Sequence, residues 1–291
     1  MEKIYTAERF ADGFYFTEGP RWHENRLWFS DFYDHSIIAI DLAGNREKIY
    51  NVPTQPSGLG WLSDGRLVVS SMRDLSVMIQ SDSGLSKLAD ISEYSSYWAN
   101  DLIVTPSDFI YVGNFGFNLD VFLEEKGQEG IVGNPGPPKT NLVLVTSEGT
   151  VRNVASEMSF PNGMVVTKDN RTLVVAESLG FRLTAFDINE RDGSLSNRRV
   201  FADLSSFFCV PDGICIDADD NIWVANAISN EAVLVREGGE ILARASAPMT
   251  CFATALGGAD GDTLFMMCAP TSTAKIASVN RNGAIYKVKV K

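Results

Sequence analysis

The stretch "PNGMVVTKDNRTLVVAE", residues 161–177, returns fifty residues later as "PDGICIDADDNIWVAN", residues 211–226. Each copy opens on proline, a small polar residue and glycine, runs on through apolar and β-branched residues, turns at Asp-Asn and comes back as a second apolar run. Two β-rich runs around a tight polar turn read as a hairpin. Three more copies stand upstream: "TEGPRWHENRLWFSD" at 17–31, "PSGLGWLSDGRLVVSS" at 56–71 and "ANDLIVTPSDFIYVGN" at 99–114. A degenerate sixth, "CFATALGGADGDTLFMMCA", occupies 251–269.

The polar position after the opening residue is Glu18, Ser57, Asp101, Asn162, Asp212 and Thr254, at intervals of 39, 44, 61, 50 and 42 residues. This is the period of a four-stranded propeller blade. Downstream runs such as "SIIAIDLAG" (36–44), "NLVLVTSEG" (141–149) and "AVLVREGG" (232–239) supply outer strands. The expectation is an all-β, six-bladed β-propeller, residues 1–291 as one domain, with a central metal-binding channel. The long interval holds a Gly-, Pro- and charge-rich segment at about 119–140, expected as an inserted loop over one face. The final run "AIYKVKVK" (284–291) needs a partner, and a strand from the first residues would close the ring. Helical periodicity is nearly absent, with one turn of helix expected between Ser92 and Ala99.

In a propeller the innermost strands line the axis, so the six polar positions meet although they lie 39 to 61 residues apart. Carboxylates held that close repel one another unless a cation lies between them, and carboxylate and amide oxygens suit Ca²⁺, Mg²⁺ or Mn²⁺. Taken singly, Pro-Asn-Gly and Pro-Asp-Gly are ordinary turn sequences. An ordinary turn has no reason to recur at one register of every blade.

At these residues the chain resembles the family of senescence marker protein 30, gluconolactonase and related calcium-dependent lactonases. The marks are "EGPRW" at 18–22, "ND" at 100–101, "PNGM" at 161–164, "PDGI" at 211–214, and "GG" with "LFMMCA" within 257–269. The resemblance implies metal ligands at Glu18, Asn162 and Asp212, a substrate- and ion-facing Asn100, and an acidic neighbour at Asp101. It implies one divalent ion, Ca²⁺ foremost, with Zn²⁺, Mg²⁺, Mn²⁺ or Fe²⁺ also compatible with oxygen donors. The implied activity is hydrolysis of a lactone, with Asp212 as first choice of general base and Asp101 as its rival. Two positions depart from the family pattern. Trp98 stands where sugar-lactone members often carry arginine, and Leu102 stands where glycine usually follows Asn-Asp. Both make the mouth less polar and favour an apolar or aromatic lactone, with Trp98, Phe115 and Phe160 expected to line the substrate pocket. The alternative is a non-catalytic binding module with a structural ion, whose mark would be an exposed apolar ring on one face.

Other chemistries fit less well. With 25 Lys and Arg against 37 Asp and Glu, the net charge of −12 argues against a nucleic-acid partner. No apolar run reaches the roughly 18 residues needed to cross a bilayer, and the charged start lacks a signal-like stretch, so the expected location is the cytoplasm. The four cysteines show no metal or disulfide spacing and read as small buried hydrophobes. There is no G-x-S-x-G, and His23 and His35, the two histidines, fall off the axial register and read as solvated surface residues. "DADDN" at 217–221 lacks the rest of an EF-hand loop and reads as a hairpin turn. Trp22, Trp28, Trp61 and Trp223 read as packing between blades.

Overall fold

Every hairpin read from the sequence forms in the computed structural model, which describes residues 2–290. The turn residues Asn25, Gly65, Asp108, Asn170 and Asp220 all take the left-handed conformation that tight hairpin turns require. Each hairpin extends into an antiparallel sheet of four strands. The first blade runs Thr17–His23, Arg26–Asp31, Ser36–Asp41 and Arg46–Asn51, and five more follow in chain order. The inner strands Thr17–His23, Pro56–Trp61, Ala99–Val104, Pro161–Val166, Pro211–Ile216 and Thr250–Gly257 contact their neighbours around a closed ring. The fold is therefore the predicted six-bladed β-propeller.

Ring closure is double. Glu8–Phe14 pairs antiparallel with Gly283–Lys289 and completes the sixth blade, as the unpaired last run required. Lys3–Thr6 then adds a parallel fifth strand to the outer edge of the fifth blade, opposite Ala243–Ser246, a pairing with no signal in the sequence. One short segment thus bridges two neighbouring sheets and covers an edge that would otherwise stay open.

Apolar side chains fill the spaces between blades. Val165, Val174 and Leu183 of the fourth blade pack on Ile214, Ile222 and Val224 of the fifth, all buried. Trp22 stacks on Phe265 of the sixth blade at 5.6 Å, Trp28 of the first blade meets Trp61 of the second edge-on, and Trp223 of the fifth clusters with Leu264 and Met266 of the sixth, so the tryptophans do pack between blades. His23 corrects its expectation: its ring stacks on Trp61 at 3.9 Å, and burial lowers its pKa. His35 is likewise only partly exposed, its Nδ1 buried. All four cysteines are free. Burial pushes the Cys209 and Cys215 thiols up to about 12, as expected of unreactive core residues. Asp217 accepts backbone N–H bonds from Asp219 and Asn221, which confirms turn chemistry for that acidic run.

Two expectations change. Residues 92–99 form turns and bends without helix, whereas the 119–140 insertion, read as a loop, contains the helix Leu119–Lys126. Its N-cap Asn118 accepts a bond from the Val121 N–H at 3.2 Å.

The recurring glycine has a steric cause. A Cβ on Gly163 would lie 2.5 Å from Asp212 O and Ile214 N of the next inner strand, and one on Gly58 would lie 2.0 Å from Leu102 N. In the third blade Leu102 replaces the glycine and is fully buried, while Gly113 on the adjoining strand makes the close approach, where a Cβ would lie 2.4 Å from Pro161 O. We predict that Gly163→Ala destabilises the protein by about 1–3 kcal/mol, as overpacking does, and weakens ion binding by separating Asn162 from Asp212. Thermal unfolding with an ion titration checks this, and a variant equal to the parent in both would refute the steric account.

Candidate functional site

The polar residue of each repeat is presented by a β-bulge. Pro161 pairs with Glu177 but Met164 pairs with Val175, so one extra residue is accommodated at Asn162-Gly163. The same one-residue shift falls between Pro56 and Leu59, Ala99 and Leu102, Pro211 and Ile214, Glu18 and Arg21, and Cys251 and Ala253. A bulge breaks the in-out alternation and re-aims a side chain. Here it occurs in all six inner strands, at or beside the axial position.

Hydroxyls on or just past the second strands then tie three of the blades to the inner strand of the next blade. Ser30 donates to Ser57 O at 2.6 Å, Ser70 to Asn100 O at 2.6 Å, and Ser178 to Pro211 O at 2.7 Å. The same strand ends anchor the loops before the inner strands. Asp31 accepts the N–H groups of Tyr15 and Phe16, Glu177 that of Ser159, and Asn226 that of Val210. These bonds hold Phe16, Phe160 and Val210 at the mouth.

The result is a pocket of about 440 Å³ with a polar floor of Glu18, Asn100, Asn162 and Asp212. Glu18 is 5% exposed and accepts a bond from the Gly19 N–H. Burial, then the charges of Asp212 and Asp101, raises its carboxyl well above the usual range. Burial and the Asp101 charge do the same to Asp212. Asn162 donates Nδ2 to Ser178 Oγ at 3.1 Å, which leaves its carbonyl oxygen available. Asn100 Nδ2 is buried without a partner, a donor reserved for something absent from the protein itself. Among the described residues no three of His, Cys, Asp and Glu gather as metal ligands. The candidate set is two carboxylates and an amide, oxygen donors suited to a hard cation.

Asp101 lies elsewhere. It is 2% exposed and is not part of the pocket wall. Its carboxylate accepts from Ser57 Oγ at 3.4 Å, and burial raises its pKa while the Arg21 charge opposes the rise. Arg21, overlooked in the sequence as a site residue, donates to Leu102 O and Pro20 O at 2.8 Å each.

Above the floor the walls are aromatic. Trp98, Phe115 and Phe160 line the pocket, with Phe115 and Phe160 stacked at 4.6 Å. Phe16, Phe32 and Phe252 form a second cluster, and Tyr33, Gln55 and Met72 join the lining unforeseen. Asn118, Leu119 and Asp120 place the start of the inserted helix at the mouth. Phe208, two residues before the lining Val210, is 78% exposed and is not part of the lining.

A family profile described as "SMP-30/Gluconolactonase/LRE-like region" matches residues 16–270, most of the chain. The chain belongs to this family. Regucalcin of Xenopus laevis is 24% identical over 211 residues, covering 72% of this chain and 67% of that protein. A pentonolactonase of Haloferax volcanii is 24% identical over 270 residues, covering 87% and 81%. The crystal structure of a calcium-binding regucalcin from Agrobacterium tumefaciens superposes with a TM-score of 0.78 at 17% identity, covering 99% and 95% of the two chains. The family includes lactonases, and the structural likeness establishes the propeller for this chain as a shared fold.

Proposed function

We propose that this family member is a metal-dependent lactonase acting on a small-molecule cyclic ester, with residues 1–291 working as one domain. The carrying observation is the pocket floor, where Glu18, Asp212, Asn162 and the unpartnered Asn100 amide converge beneath aromatic walls. Glu18, Asn162 and Asp212 would hold one divalent ion, Ca²⁺ foremost. When bound, the ion supplies a Lewis acid that draws charge from the ester carbonyl. Asp212, which reaches the pocket, takes a proton from the attacking water. The water oxygen bonds to the carbonyl carbon, and Asn100 donates its N–H to the oxygen that gains charge. The bond from that carbon to the ring oxygen then breaks as the proton held by Asp212 passes to the ring oxygen, leaving an open-chain hydroxy acid. Asp101, buried outside the pocket lining and under the charge of Arg21, acts on Asp212 through its own charge.

The helical insertion forms a rim over the mouth. Replacing residues 119–139 with a short turn should change which lactones are opened and spare ion binding. The direct test of the function is acid release from a lactone panel by ion-loaded protein, abolished by chelation and restored by the ion. Absence of any such activity would leave the binding-module reading. That second reading has one observation in its favour: Val121, Val132, Phe208, Ile228, Ile276 and Val279, all at least 43% exposed, lie in the loops and short helices that connect strands on the mouth face. No described helix is long and apolar enough to cross a membrane, and cytoplasmic location without a nucleic-acid partner is part of the proposal.

A further inference from the structure

Resting on the lactonase reading, the polar groups of the pocket decide which ester it accepts. They cluster at two levels. Glu18, Asn162 and Asp212, proposed to hold the ion, and Asn100, proposed to meet the carbonyl, form one polar group of the lining. At the mouth Asn118 already caps a helix, and Gln55 Oε1 already accepts the Arg73 Nε–H at 3.0 Å. Between these levels stand the two aromatic clusters, Phe16 with Phe32 and Phe252 at 5.3 and 4.9 Å, and Phe115 with Phe160 at 4.6 Å. A sugar lactone carries hydroxyls around its ring. Each hydroxyl left against a phenyl face of these walls would lose water without a partner, at roughly tenfold in binding, and only Tyr33, Tyr97, Asp120, Ser178 and Ser272 add polar groups to the lining. A flat hydrocarbon ring would lose nothing and would stack.

Trp98 is held more firmly than an ordinary mouth residue. Tyr97 stacks on it at 5.0 Å and 18°, and the Arg73 guanidinium lies 5.1 Å from its ring centroid while bonded to Gln55. Arg73 is itself no part of the pocket wall, so it acts through Trp98. The apolar character continues outward, because Phe208, Ile228, Ile276 and Val279 are exposed on segments that also supply the lining residues Val210, Ala227 and Ala274. A cavity of about 440 Å³ leaves room for a second ring beside the ester.

We propose that the substrate is a lactone fused to or bearing a flat, unhydroxylated aromatic or unsaturated ring, and that Trp98, positioned by Arg73, determines this specificity.

The test compares Ca²⁺-loaded protein on dihydrocoumarin, δ-valerolactone and glucono-δ-lactone, each rate corrected for spontaneous opening. Dihydrocoumarin should exceed gluconolactone by about 100-fold or more in kcat/KM, a margin expected when the disfavoured substrate buries several unpaired hydroxyls. Trp98→Arg should reduce that ratio at least about tenfold, and Trp98→Phe should preserve it. Arg73→Leu should raise KM for dihydrocoumarin several-fold more than KM for δ-valerolactone, with kcat changed less, a split that a general loss of structure would not produce. A gluconolactone preference, or a ratio indifferent to Trp98→Arg, overturns the proposal.

Binding of non-hydrolysable lactams, followed by tryptophan fluorescence and calorimetry, separates this inference from the lactonase reading. If no lactone is opened but 3,4-dihydroquinolinone binds at least tenfold tighter than gluconolactam, and Trp98→Arg removes the difference, the ring preference stands and the hydrolase reading falls. Equal binding, tighter sugar binding or no binding of either overturns the preference itself.

Discussion

Asp212→Asn should lower kcat on the order of 10²- to 10⁴-fold at saturating ion, the usual loss when a general base is removed. An amide still offers an oxygen to a cation but accepts no proton at neutral pH. The variant should therefore retain an ion site, weakened by the loss of one negative charge, and lose the proton acceptor. Asp101→Asn removes a carboxylate of the same kind one blade pair away, yet Asp101 is closed off from the pocket and shares its field with Arg21. Its rate should fall by no more than about tenfold, as expected of a group that acts at a distance through the field. The measurement is kcat with metal content determined on the same samples, because weakened ion affinity otherwise imitates lost base catalysis. If both variants hold the ion and match the parent, the base is neither residue, and Glu18 is the carboxylate left on the pocket floor.

The blades could be read from sequence because their signals are local. An apolar run, a turn residue tolerant of left-handed backbone and a second apolar run define a hairpin without reference to anything distant. The axial register was legible for a related reason, since an oxygen-bearing side chain at the same position of every blade must serve something the blades share. The bulges were not legible. Pro161-Asn162-Gly163 accommodates one residue too many for its partner strand, and alternation over so short a stretch is equally compatible with a regular ladder. The parallel pairing of Lys3–Thr6 escaped because it joins residues about 240 positions apart with no turn between them. Arg21 was read as part of a strand, and only the ring of inner strands brings its guanidinium to Leu102 O. The helix Leu119–Lys126 buries none of its residues, so it has no apolar stripe to announce it, and Asn118 was its one readable signal. Wall residues such as Phe32, Met72 and Phe252 come from three different blades and meet only when their loops are placed. Sequence thus singled out the polar residues of the floor and three residues of the walls, Trp98, Phe115 and Phe160, in proportion to how far each residue's position depends on its own blade alone.

Chelating the divalent ion should lower the melting temperature markedly at pH 8 and only slightly at pH 5. Without the ion, Glu18 and Asp212 are buried or nearly so, repel each other, and have folded pKa values raised by burial and by neighbouring charge. A carboxyl whose folded pKa exceeds its unfolded value imposes no penalty below the unfolded value, near about 4. The penalty grows as pH rises toward the folded pKa and then stays constant, because the unfolded chain releases the proton more readily there. Ion-free protein should therefore lose stability from about pH 4 upward. An ion present at 100 times its dissociation constant contributes about 2.7 kcal/mol. At roughly 2–4 °C per kcal/mol for a chain approaching this size, that is about 5–10 °C. At pH 5 protons compete for the same oxygens, so the ion adds less. Glu18→Gln separates the two contributions: it should raise the ion-free melting temperature at pH 8 by removing one repelling charge, and abolish most of the increase that added Ca²⁺ produces. Scanning calorimetry at both pH values, with chelator and with Ca²⁺, measures all of these. A larger ion effect at pH 5 than at pH 8, or none at either, would mean that Glu18 and Asp212 do not share an ion on the propeller axis.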